Sequence, residues 1–189
     1  MYDLWDWAPD GKTLLFFTRD DPSKPLKGMV RQLDLDSLST TTFLDDPELA
    51  LWNAHFSHDG RWVTFNAATN GLRSSRIYVA PFRKALLPRS SWTSITDGNW
   101  DDQPRFSYDD RLLFFESGYD APRRLWAQSL GPDKRPDGRP FAVFPSSPSQ
   151  RSPAISPDGL SVGPNLIVFT QTEKTGSIWL LEPAKTNSR

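Results

Sequence analysis

The side chains that could do chemistry are few and widely separated. His55 and His58 are the only histidines among 189 residues, and there is no cysteine. A His-x-x-His pair grips a metal when a helix sets both rings on one face. On a strand entering a turn the two point to opposite faces, so His55 reads as an inner-strand residue and His58 as a turn residue. With thiolates absent as well, no metal site is expected. Carboxylates pair at Asp45-Asp46 and Asp101-Asp102. Paired acids serve acid–base catalysis or calcium, but no DxDxDG ligand ladder accompanies them. Each pair lies where one strand gives way to the next, and a solvated loop with an aspartate capping a turn accounts for both. A serine hydrolase needs a nucleophile, a base and an orienting acid, and the GxSxG elbow is missing. FSHDGRW comes near the sialidase turn SxDxGxTW, with a different spacing. The reading is a non-enzyme without a cofactor.

Composition narrows the partners. Twenty-two basic and 23 acidic residues leave a formal charge of −1, so no positive field attracts a phosphate backbone and nucleic acid is not expected. No apolar run approaches the roughly 18–20 residues of a membrane span. The start, MYDLWDWAPDGK, lacks the basic and apolar regions of a signal peptide; an export signal, if used, would lie on a part not present here. Eight Trp and 12 Phe can fill a large core. Seventeen Pro and 11 Gly, spread along the chain, argue for short strands and turns over long helices.

What must position these residues is a repeat. WAPDGKTLLFF (7–17), FSHDGRWVTFN (56–66), FSYDDRLLFFE (106–116) and ISPDGLSVGPNLIVFT (155–170) align, with the anchor Asp at 10, 59, 109 and 158, at intervals of 49, 50 and 49. A second column follows: GMVRQLDL (28–35), SRIYVAPF (75–82), RRLWAQSL (123–130) and GSIWLLEP (176–183). A third closes the first three repeats: STTTFLDD (39–46), SWTSITDG (91–98) and RPFAVFPS (139–146). Each unit therefore reads as a strand, a Pro-Asp-Gly turn and three more strands. Four antiparallel strands per repeat of this length is the signature of a β-propeller blade. The strand after the turn is apolar on both sides. Leu14/Phe16, Val63/Phe65 and Leu113/Phe115 make one face; Trp62, Leu112/Phe114 and Ile167/Phe169 break the alternation. A sheet with one wet face would alternate; a blade sandwiched between two neighbours buries both faces and need not.

The turn residues follow from backbone chemistry. Pro fixes the first turn dihedral. Asp10, Asp59, Asp109 and Asp158 can accept nearby N–H groups, and Gly11, Gly60 and Gly159 can take positive φ. The third repeat has Asp110 at the glycine position, so its hairpin is expected to be the most strained. The insertion near 161–165 is expected to lengthen the fourth hairpin.

The FSxDGRxxxF…RIYV units resemble the propeller repeats of TolB-like proteins and related bacterial WD-type repeats, over about residues 5–183. The stretch from ALWNAHFSHDGRW through IWLLEP also resembles the C-terminal propeller segment of some bacterial membrane-anchored Ser/Thr kinases and winged-helix regulators. No GxGxxG, HRD or DFG motif is present. These resemblances imply a sensing or protein-binding role beside an upstream domain of the same gene, in a periplasmic or extracytoplasmic setting. A TolB-like ring has six or more blades, so four repeats imply a fragment with its N-terminal blades absent.

The fold expected is all-β: one partial propeller of four-stranded antiparallel blades, about 3.5–4 in number, over 1–189. Its repeats run approximately 2–47, 51–98, 100–147 and 150–183. In propellers the inner strands line a central channel. Equivalent positions there read Asp6, His55, Arg105 and Ala154, and Asp3, Trp52, Asp102 and Arg151. Trp52, His55, Trp100, Asp102, Arg105 and Arg151 are the candidate partner-binding set, suited to a protein or peptide. Packing of Trp5, Trp52 and Trp100 between blades is the competing reading. The competing function is an accessory propeller gating a hydrolase or peptidase domain not present in this chain.

Overall fold

The structure is a computed structural model and describes residues 2–18, 28–69, 74–98, 100–118, 124–144 and 154–172. Three four-stranded antiparallel sheets follow one another along the chain. The first holds β1 (Tyr2–Trp7), β2 (Thr13–Thr18), β3 (Met29–Asp34) and β4 (Ser39–Leu44). The second holds β5 (Leu49–Phe56), β6 (Trp62–Thr69), β7 (Ser75–Pro81) and β8 (Thr93–Ser94). The third holds β9 (Asp102–Phe106), β10 (Leu112–Ser117), β11 (Arg124–Ser129) and β12 (Phe141–Ala142). A two-stranded sheet of β13 (Ala154–Val162) and β14 (Ile167–Thr172) comes last. Strands within each sheet pair in sequence order, as meandering blades do. The second-column segment of the fourth repeat, 176–183, lies outside the described residues.

The core consists of the interfaces between consecutive sheets. Leu15, Val30 and Phe43 of the first sheet are buried with Leu51, Val63 and Phe65 of the second. Ile77 and Val79 of the second sheet are buried with Phe106, Leu113 and Phe115 of the third, and Trp62 packs against them. Phe114, Leu125 and Ala127 of the third sheet meet Leu160, Ile167 and Phe169 of the last. Alternate residues of β6 and β10 thus enter different cores, which is why these strands carry apolar residues on both faces. Ile167 and Phe169 face back toward the third sheet, and so belong with Val63/Phe65 instead of with Phe114.

The first three hairpins share one bonding pattern. Gly11 N–H donates to the Ala8 carbonyl (2.8 Å), Gly60 N–H to Ser57 (3.0 Å) and Asp110 N–H to Ser107 (2.9 Å). Asp10, Asp59 and Asp109 each accept the N–H two residues on, at 2.9, 2.9 and 3.2 Å. Gly11, Gly60 and Asp110 all have positive φ, at 72, 69 and 57°. The fourth hairpin is different, and corrects the expectation for Asp158 and Gly159. Both lie inside β13, beside a register irregularity between Ile155 and Leu160. The reversal occurs at 163–166, where Gly163 N–H donates to the Leu166 carbonyl (2.9 Å) and Val162 pairs with Ile167. The inserted Gly-Pro-Asn supplies a turn of its own, so the strand runs through Pro-Asp-Gly instead of reversing there.

Candidate functional site

Each of the first three inner strands carries a register irregularity at the same height. It falls between Leu4 and Asp6 in β1, between Trp52 and His55 in β5, and between the partners of Phe114 and Glu116, namely Arg105 and Asp102, in β9. Asn53 and Gln103 sit in these irregularities with φ near 50°. An extra residue resets the two-residue alternation, so side chains three apart, such as Trp52 and His55, or Asp102 and Arg105, fall on one face. This device gathers the candidate residues.

Two carboxylates anchor the cluster across blade boundaries. Asp102 accepts hydrogen bonds from Trp52 Nε1 (3.2 Å) and Asn53 Nδ2 (2.7 Å) of the preceding blade. Asp6 accepts Phe56 N–H from the following blade (2.8 Å), and its other oxygen accepts Trp7 N–H (2.8 Å). His55 Nδ1 lies 3.6 Å from Asp6, and Trp5 meets the imidazole edge-on with ring centres 6.3 Å apart. His55 Nε2 is buried with no hydrogen-bond partner among the described residues.

The charges are tuned by burial and by one another. Burial, helped by the Arg105 charge and opposed by Asp6, pushes His55 down to about 4. The ring is therefore neutral at pH 7, and 3.6 Å is too long for a strong hydrogen bond. Burial alone would raise Asp6, but His55 and the two N–H donors hold it below the ordinary carboxylate value. Burial also brings Arg105 down to about 10 against the pull of Asp6 and Asp102, so it stays charged. The Arg105 guanidinium donates to the Pro104 carbonyl (2.8 Å), and no other hydrogen bond engages it among the described residues.

The structure therefore brings Trp52, His55, Asp102 and Arg105 to one region of the inner strands. Trp100 stands apart: it is 43 % exposed in the loop before β9, with φ 58°, and among the described residues no hydrogen bond or ring contact joins it to the cluster. Its exposure also removes it from the tryptophans packed between blades. Arg151 lies outside the described residues. Sequence reading missed Asn53, whose tolerance of positive φ was the available signal. The reach of Asp110 to the preceding turn was missed as well. Its two carboxylate oxygens accept His58 N–H (2.8 Å) and Asp59 N–H (3.0 Å), closing the turn of the preceding blade. Asp46, of the first acid pair, caps the N–H groups of Glu48 and Leu49 at 2.9 and 3.1 Å. Among the described residues no three His, Asp or Glu side chains gather as a metal site requires, and no helix is long and apolar enough to cross a membrane.

No protein-family model matches the chain, and no curated protein matches it. Solved structures do. TolB from Acinetobacter baumannii is 17 % identical, with a TM-score of 0.63 over 90 % of this chain and 41 % of that one. A putative TolB from Agrobacterium tumefaciens is 18 % identical over 92 % of this chain and 70 % of that one, at a TM-score of 0.45. The β-propeller domain of the Trilobed protease from Pyrococcus furiosus is 14 % identical over 70 % and 40 %, at 0.46. This chain spans about two fifths of the length of the Acinetobacter TolB. Consecutive four-stranded antiparallel sheets, stacked face to face and matched over nine tenths of the chain, have one architectural meaning: the chain has a partial β-propeller fold, similar to that of TolB.

Proposed function

We propose that this chain is a non-catalytic protein- or peptide-binding module, part of a larger bacterial sensor, regulator or envelope protein. The partner meets the inner-strand cluster of Trp52, His55, Asp102 and Arg105. One observation carries the reading. Arg105 is a half-buried, charged guanidinium between two carboxylates, with a single hydrogen bond among the described residues, to its own preceding carbonyl. A desolvated arginine with unused donors is the type of group that dominates protein interfaces. The match to only two fifths of a TolB supports a longer protein around this segment.

The test is affinity capture with the intact chain against Trp52→Ala, His55→Ala and Arg105→Glu variants whose folding is verified by circular dichroism. A polypeptide recovered by the wild type and lost from Trp52→Ala and Arg105→Glu is the expected result. Equal recovery by folded variants removes the inner-strand site.

A further inference from the structure

Arg105 carries more donors than the protein uses. A guanidinium has five N–H groups, and Nη1 donates to the Pro104 carbonyl (2.8 Å). The other guanidinium nitrogens have no hydrogen-bond partner among the described residues and are not sealed from water, so the half-buried side chain presents them to solvent. The neighbouring acceptors are already engaged. Asp102 Oδ1 accepts Gln103 N–H (2.9 Å) besides Trp52 Nε1 and Asn53 Nδ2. The two Asp6 oxygens accept Trp7 N–H and Phe56 N–H. His55 Nε2 is sealed inside, so an incoming group reaches the arginine and not that nitrogen.

The surrounding charge selects the acceptor. Arg105 feels two carboxylates, Asp6 and Asp102, and His55 nearby is uncharged at pH 7. One positive and two negative groups leave a formal charge of −1. A further carboxylate at the guanidinium would bring this to −2 and meet both anions in half-buried surroundings, where screening is weak. A main-chain carbonyl oxygen adds no charge. It still gains the stronger hydrogen bond that a charged donor gives.

We propose, on the inner-strand reading above, that Arg105 recognises a partner polypeptide through its main-chain carbonyl oxygens, and that Asp6 and Asp102 turn acidic side chains away. The planar guanidinium can donate to one carbonyl or to two at once. Partners that bring an Asp or Glu to this point are disfavoured, which supplies the repulsive half of specificity.

The test selects a phage-displayed library of short random peptides on the immobilised full chain. Binders are resynthesised with free and with amidated C-termini. Fluorescence anisotropy compares each with its amide-to-ester analogues, which weaken one carbonyl acceptor at a time. The expected result is an ester position that weakens binding to the wild type roughly fivefold or more and has no effect on binding to Arg105→Met. Replacing a peptide Asp or Glu by its amide should not weaken binding. Arg105→Gln, polar but uncharged, stands in if Arg105→Met fails to fold. Binding that is lost from the Arg105 variant but depends on a peptide carboxylate, or ignores every ester, overturns the carbonyl proposal and leaves the inner-strand site standing. If no peptide separates the wild type from folded Arg105 and Trp52→Ala variants, both readings fall.

Discussion

The first and second sheets carry the same residue columns and live in different surroundings. Phe65 of β6 is fully buried against the first sheet, while its equivalent Phe16 is half-buried. Phe56 is 7 % exposed and its equivalent Trp7 is 56 % exposed. Val63 is buried and Leu14 is half-buried. The difference is a neighbour: the second sheet is flanked on both faces, and the face of the first that holds Leu14 and Phe16 has no preceding sheet among the described residues. Residue type in a repeat therefore prepares a surface for burial, and only the adjacent blade completes it.

The largest expected effect contrasts these columns directly. Phe65→Ala should cost about 3–5 kcal/mol, the usual toll for emptying a packed aromatic site. Phe16→Ala should cost no more than about half of that. Urea unfolding of both variants checks the contrast; equal losses would mean the two faces are equally covered in solution. Next comes acid. The folded pKa of His55, about 4, lies below its ordinary 6.5, so the unfolded state gains the proton first. Stability should fall as pH drops from about 6.5 to about 4, by at most ~3 kcal/mol from this group. The lowered Asp6 adds loss in the same direction, below the ordinary carboxylate range. His55→Asn should flatten the upper part of that profile, measured as melting temperature against pH. A flat wild-type profile between pH 6.5 and 4.5 contradicts the burial of the imidazole.

The third prediction concerns the second and third turns. Asp110→Gly relieves a positive φ but strips two N–H groups of their acceptor, and should destabilise by about 1–2 kcal/mol net. A gain in stability would show that strain outweighs the carboxylate. The smallest effect belongs to Lys84, whose ammonium pairs with Asp34 at 2.5 Å on the open surface. Exposed pairs contribute little, and Lys84→Ala should leave the melting temperature within error.

The blade count and hairpins of the first three repeats were legible because the turn chemistry is local: Asp, Gly and the N–H two residues on all lie within one short segment. The inner-strand column was legible for the same reason, since equal spacing put Asp6, His55 and Arg105 in register. Three features were hidden. The fourth hairpin moved because an inserted Gly-Pro-Asn competed with Pro-Asp-Gly, and both are good turns. Asn53 joined the cluster through an irregularity that no alternation pattern reveals. Asp110 looked like a strained substitute for glycine, because the groups it serves, His58 and Asp59, are about fifty residues away in the chain.

That reach of Asp110 bears on how the molecule can be divided. A chain cut near residue 98 would retain the whole second meander, yet its hairpin would give up the anion that receives two of its amides. Those amides should then exchange with deuterium well ahead of the strands they join. The boundary written by the repeat is thus displaced from the boundary of cooperative protection, which falls one turn later.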